Sequence, residues 1–344
     1  HRTPKDMRQI VTTRNGGVEV LEVQDRPELH AANDQVVIAV KAAGLNFADI
    51  LARQGLYPDG PPKPCVMGYE VSGVVQSVGP DVDPSIVGQP VVALTRFGGQ
   101  AEQVVVPEGQ IFEKSESLSY EQAAALPVNY LTAYALLVVM GSLQAGESVL
   151  IHNAGGGVGL AALDIAKKIG AVTYGTASPS KHQFLKERGL DHPIDYRNQD
   201  WFPVLMDLTN GRGVELVMDP IGGAHWKKSY RALRHTGRLG MFGFSTASAN
   251  GLKGKLGLLK VAVQTPWFHP FGLINKNRGV FGLNLGHLWH EPEKVSKWVE
   301  VLLGGIENGW IRPHVDRSFS FGEVRAAHAY MESRRNIGKV VLVP

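Results

Sequence analysis

The chain has 344 residues, 44% hydrophobic and 19% charged, with a formal net charge of +3. That balance excludes a disordered chain and suits about two globular domains. The single cysteine, Cys65, excludes an intramolecular disulfide framework and a Cys-rich zinc lobe, and no block of like charges marks a nucleic-acid arm, so no nucleic-acid partner is expected.

His1 is not an initiator residue, and Met7 is a candidate for the natural start. The first third reads as short strands at residues 35–41, 71–78, 90–94 and 103–107, divided by turns such as Asp59-Gly60-Pro61-Pro62. Many short strands with few helices predict a β-rich, barrel-like domain. Helical composition begins near Tyr120, at residues 121–125 and 131–140. The longest apolar run, residues 131–143, falls well short of the ~20 residues that span a bilayer, so no transmembrane segment is expected. A cytoplasmic location is the reading, and one cysteine is compatible with a reducing compartment.

From Ser148 strands and helices alternate. Strands are predicted at residues 148–152, 172–176, 193–196, 214–218, 238–244 and 280–285, with helices running to Gly170, to Gly189, near 202–208 and to Leu233. This pattern predicts an α/β fold with a doubly wound parallel sheet. Residues 293–304 read as a helix, and residues 338–343 as a closing strand that returns to the β-rich domain. The predicted division is residues 1–127 with 289–344 for the β-rich substrate domain, and residues 128–288 for the dinucleotide-binding domain.

Glycine is abundant, at 40 residues, with no fixed period, which points to turns and to close approach of a ligand to the backbone. Residues 149–159 (VLIHNAGGGVG) run from an apolar strand into a helix. Ala154, Gly156 and Gly159 occupy the three positions of the G-x-G-x-x-G dinucleotide fingerprint, with Gly155, Gly157 and Val158 between them. The helix N-terminus offers unpaired N–H groups to a pyrophosphate; the plainer alternative is a glycine-rich turn with no ligand. An NAD site wants an acid at the end of the second strand, and residues 176–182 (TASPSKH) carry none. Ser178 and Lys181 suit a 2′-phosphate, so NADPH is the expected cofactor, although Lys181 is equally a solvated helix residue.

Residues 44–57 (GLNFADILARQGLY), 68–75 (GYEVSGVV) and 98–102 (GGQAE) resemble the N-terminal signature of zeta-crystallin-type quinone oxidoreductases, zinc-independent members of the medium-chain dehydrogenase/reductase superfamily. Residues 123–134, 176–182, 192–196, 217–223 and 336–344 resemble the synaptic-vesicle amine-transport-protein-like branch. The resemblance implies a GroES-like barrel, a Rossmann domain, and a homodimer paired through the edge strand at residues 280–285. It implies no metal: the catalytic zinc ligands of zinc-dependent relatives correspond to Asn46, Tyr69 and Val128, and a valine coordinates nothing. His287 and His290 lie three apart without a third ligand.

By the same resemblance Asn46, Asp49 and Tyr57 line the cleft near the nicotinamide, with Asn46 or Tyr57 as donor to a substrate carbonyl. Read alone, they are a turn residue, a cap or partner of Arg53, and a packed loop aromatic. Asn129 and Thr132 would hold the nicotinamide ribose or phosphates, and Ser178, Lys181 and Tyr196 the 2′-phosphate. Phe242, Phe244, Phe281 and Leu283 would set backbone against the nicotinamide. Asn336 would cap the cofactor, or is a loop asparagine before Gly338.

A metal-free site suits substrates that accept hydride readily, which makes NADPH-dependent reduction of quinones or α,β-unsaturated carbonyls the expected activity. The alternatives are a 2-enoyl thioester reductase and a nucleotide-sensing, non-enzymatic binding protein at a membrane or partner surface. Residues 251–277, basic and aromatic, read as a helix and lid walled by Trp267, Phe268 and Phe271, or as a face for peripheral membrane contact.

Overall fold

The computed structural model describes residues 6–344; His1, noted above, lies outside the described residues. Two compact units are present. One comprises the chain up to Val128 with Ala249–Gly254 and Pro313–Pro344, the other Asn129–Ser248 with Lys255–Arg312. The first boundary adjoins the expected one. The second does not: the return comes at Pro313 rather than at 289, because helix Pro292–Glu307 belongs to the second unit. Its Trp298 ring lies 6.1 Å from that of Tyr134, and Val299, Leu302 and Ile306 are buried.

The first unit is built on a seven-stranded sheet in which Gln35–Leu45 pairs with Glu70–Val78, Gln103–Pro107 and the closing strand Lys339–Val343. Valine and isoleucine at every second position of Gln35–Leu45 put Val36, Ile38 and Val40 into one core with Val71, Val75, Val91, Val104 and Val106. Four strands escaped the sequence reading: the antiparallel pair Asp6–Thr12 and Leu21–Pro27, Ile111–Glu113, and Val315–Ser320. Leu21–Pro27 buries only Leu21, so it offers no apolar alternation to detect. The short helix Phe47–Arg53 was also missed, and it carries Asp49.

The second unit holds a six-stranded, wholly parallel sheet in the order His192–Asp195, Val172–Ala177, Ser148–Ile151, Val214–Asp219, Leu233–Met241, Gly279–Gly282. This is the doubly wound order, reversing between the first and fourth strands of the unit, where such sheets open a ligand crevice. All six expected strands are present. The fifth stops at Met241 and the sixth at Gly282, so Phe242, Phe244 and Leu283 lie just past strand ends instead of within strands.

Candidate active site

In the first unit, Asn46 precedes helix Phe47–Arg53, and its backbone N–H donates to Asp49 Oδ2 at 2.9 Å. Gln100 Nε2 donates to the same oxygen at 3.3 Å. Both side-chain atoms of Asn46 are engaged: Nδ2 donates to Glu70 Oε1 at 3.1 Å, and Oδ1 accepts from Lys339 Nζ at 2.7 Å. Lys339 also forms an ion pair with Glu70, whose Oε2 accepts from the Val128 N–H at 2.7 Å. The cluster draws on two strands, a helix and the closing strand, so the seven-stranded sheet itself positions it. Burial pushes the Asp49 carboxyl up to about 7 against the pull of its Asn46 hydrogen bond and of Lys339. Burial also raises the Tyr57 phenol, helped by Asp59 and Asp49. Asn46, Asp49 and Tyr57 thus share one neighbourhood. Glu70 and Lys339, absent from the expected set, hold it together.

In the second unit, strand Ser148–Ile151 leads through Asn153, at a φ of 52°, into helix Gly157–Ile169. The N-cap is Gly156, which has no side chain to cap the first turn of that helix. At Gly159 a Cβ would collide with the Ala154 carbonyl and stand 2.5 Å from that of Asn153, so the turn requires glycine there. A Cβ on Gly155 would meet Lys181 Cδ at 2.8 Å, which places the buried lysine stem across the turn. Asn129 lies directly against Gly157. Thr132, one helical turn on, is buried, as is Ser178. The second strand ends in Thr176 and Ala177 with no carboxylate.

Ala154, Gly155, Gly156, Gly157, Val158, Gly159, Asn129 and Lys181 therefore converge on one turn. Tyr196, 40% exposed, lies just after the strand His192–Asp195, and Phe281 lies within the edge strand. Asn336 is buried in the first unit, its amide donating to Gly338 O at 2.9 Å, the local turn contact of a loop asparagine.

Beneath the turn is a network the sequence reading missed. Trp201 Nε1 donates to His225 Nε2 at 3.1 Å, which leaves His225 Nδ1–H for Asp219 Oδ2 at 2.6 Å. Ser229 Oγ donates to the same carboxylate at 2.6 Å, and His152 bridges Ser229 and Thr176 at 3.1 and 3.0 Å. Ligand atoms of His152, Asp219 and His225 lie within 4.8 Å of one another, a spacing a metal accepts. All four ring nitrogens nevertheless have protein partners, so the donor set is already consumed. Burial, then His225, hold His152 down at about 3. In the first unit, burial and the adjacent Arg53 guanidinium, 2.9 Å away, hold His328 at about 3.

Asp49, His152 and His328 are the groups whose shifts act between about pH 7 and 5. Both histidines titrate near 6.5 when unfolded, so from about pH 6.5 to about 4.5 only the unfolded chain takes up their protons. Asp49 acts oppositely, since its native carboxyl binds a proton well above the ordinary value of 3.8. Two protons against one leave a net loss of stability on acidification, on the order of 1 kcal/mol per pH unit. Urea unfolding at about pH 7 and about pH 5 is expected to show it; equal stability at both would contradict the burial of neutral histidines.

Two family models match: an alcohol dehydrogenase GroES-like domain over residues 32–116 and a zinc-binding dehydrogenase over residues 188–342. The second description does not carry its metal to this chain, where Val128 has no donor and Asn46 is occupied by Glu70 and Lys339. The chain is 42% identical over 346 residues to a synaptic vesicle membrane protein VAT-1 homolog of Rattus norvegicus, covering 98% of this chain and 84% of that one. It is 33% identical to a quinone oxidoreductase of Pseudomonas aeruginosa, covering 96% and 97%. A mycobacterial protein solved in complex with NADPH superposes with a TM-score of 0.85 at 29% identity, covering 98% of this chain and all of that one. With both domain models matched and relatives aligned along nearly its whole length, the chain belongs to the medium-chain dehydrogenase/reductase family of oxidoreductases, in its zinc-independent VAT-1 and quinone oxidoreductase branch.

Proposed function

We propose that the protein reduces quinones or other α,β-unsaturated carbonyls with hydride from NADPH. The observation that carries this reading is the phosphate turn: a helix that starts at glycine, a glycine that admits no Cβ, and a buried lysine laid across it where an acid would select NAD. The residues present fit the dinucleotide, which would supply the hydride. The chain's own groups bind its phosphates and offer polar contacts to the carbonyl. The NADPH complex of the mycobacterial relative and the quinone oxidoreductase of P. aeruginosa support the same reading. Titration with NADPH and NADH tests it. NADPH is expected to bind tighter, and Lys181→Ala to weaken NADPH about tenfold while leaving NADH nearly unchanged. Equal affinities in the wild-type chain would remove the 2′-phosphate argument.

A second reading concerns location and assembly. Between Asp219 and Glu291 the chain has no acidic residue and ten lysines and arginines. On helix Gly251–Gln264, Leu252, Leu256, Leu259 and Val263 form an exposed stripe at helical spacing, continued by Trp267, at 99% exposure, Phe271 and Ile274. Of the three aromatics Trp267, Phe268 and Phe271, Phe268 turns inward, onto Tyr230 at 5.1 Å. Among the described residues no helix is long and apolar enough to cross a membrane, so this surface is suited to peripheral contact with anionic lipid. Flotation with phosphatidylserine vesicles, lost in Trp267→Ala, is the expected result; flotation equal on neutral vesicles would oppose it. The strand Gly279–Gly282 ends its sheet with one side unpaired, which suits the homodimer; a monomer by light scattering would oppose that.

A further inference from the structure

We infer that the groove between helices Trp201–Leu208 and Ala224–Arg231 is a binding site for an organic phosphate, a phosphate monoester carried on an apolar body. The inference stands apart from the reductase reading. The groove has a volume of about 540 Å³, within the range of about 300–1,000 Å³ usual for small-molecule sites. Asp200, which caps the first helix, lines it with Phe202 and Pro203, and the second helix adds Lys227, Lys228 and Arg231. None of these residues belongs to the phosphate turn, to the Asn46 cluster or to the exposed apolar stripe of helix Gly251–Gln264.

The first observation is an excess of positive charge. Three cations share the groove with one carboxylate, and that carboxylate is spent locally. Asp200 pairs with Lys228 Nζ at 2.5 Å and accepts from the Phe202 N–H at 3.1 Å, and these two bonds hold it below the ordinary carboxylate range. Among the described residues no carboxylate pairs with Lys227 or Arg231, and both are exposed. They stand four apart on one helix, so they share a face and can close on one anion.

The second observation is that aromatic rings fix the cations. The Arg231 guanidinium lies 5.2 Å from the centroid of the Phe202 ring, and Lys228 Nζ lies 4.8 Å from that of Trp201. A guanidinium resting on a ring keeps its N–H edge for paired bonds to phosphate oxygens and loses less freedom on binding. Phe202 and Pro203 give the same groove an apolar wall, which suits the carbon skeleton beside the phosphate. The cations span residues 227–231, little more than one helical turn. That spacing suits a single phosphate group better than the separated carboxylates of an acidic peptide.

Calorimetric titration of phenyl phosphate into the full chain, with NADPH saturating to fill the dinucleotide turn, tests the inference. Phenyl phosphate is expected to bind more tightly than inorganic phosphate. Lys227→Gln and Arg231→Gln are each expected to weaken it about tenfold and to leave NADPH affinity unchanged. Lys255→Gln, which removes an exposed charge from helix Gly251–Gln264, is expected to change nothing. A lipid headgroup can carry the same phosphate monoester, so phosphatidic acid vesicles form a second arm. Binding of phenyl phosphate without the vesicles assigns a free metabolite; vesicle binding lost in Arg231→Gln assigns a headgroup. No binding in either arm, equal affinity for inorganic phosphate, or an equal loss in Lys255→Gln would each overturn the site. So would a loss confined to Lys181→Ala, which would put the phosphate at the dinucleotide turn.

Discussion

Replacing Lys339 with methionine is expected to cost about 3–5 kcal/mol of stability, measured by urea unfolding. Lys339 is 3% exposed and Glu70 fully buried. Methionine keeps most of the side-chain volume, so the change is chiefly one of charge. It strands the Glu70 carboxylate in the interior with only the Val128 N–H and the Asn46 amide to stabilise it. The double variant Lys339→Met with Glu70→Gln removes both charges and is expected to recover much of the loss. A single variant as stable as the wild type would show that the pair is not buried as described. The consequence reaches the site, because Lys339 is the donor that fixes Asn46 Oδ1. Without it the asparagine amide is free to turn, and the cap on helix Phe47–Arg53 loses its rigid neighbour.

Gly159→Val is expected to weaken NADPH binding by about tenfold to a hundredfold, the equivalent of about 1–3 kcal/mol of overpacking focused on the turn. The obstacle to a side chain is backbone: the Ala154 and Asn153 carbonyls occupy the space. Backbone cannot step aside without moving the N–H groups that would meet the pyrophosphate. Gly155→Ala provides the contrast. Its Cβ would meet only the distal carbons of Lys181, a flexible chain that can shift. A smaller loss is therefore expected, weighted towards NADPH over NADH because it displaces Lys181. Fluorescence titration of nucleotide onto both variants measures this, and equal effects at the two positions would contradict the backbone argument.

The parallel sheet was readable chiefly from its central strands, apolar-rich runs bounded by glycine or a helix start, as at Ser148–Ile151 and Val214–Asp219. Strand ends were less readable: Phe242-Gly243-Phe244 stays apolar although the chain leaves the sheet after Met241. The phosphate turn was readable because its demands are local, a strand, a glycine cluster and a helix within a few residues. The His152–Thr176–Asp219–Ser229 network was not, because its members come from different strands and a helix and meet only through sheet order. The faint signal was a polar residue directly after an apolar strand, as His152 follows Ile151. Glu70 and Lys339 escaped for the same reason, being far apart in sequence and joined only where the closing strand pairs with Gln35–Leu45. Asp49 and Tyr57 came from resemblance, which names residues without their environment. That environment, above all the burial of Asp49 between Asn46 and Gln100, appears only in three dimensions.

The most direct test of the reductase is the nicotinamide absorbance of NADPH in the presence of the protein and tetramethyl-1,4-benzoquinone without oxygen. The expected result is consumption of one NADPH per quinone reduced, slower with NADH and slower again in Lys181→Ala. Tight NADPH binding with no consumption, here and across other quinones and enones, would contradict the account and leave a nucleotide-sensing protein in its place.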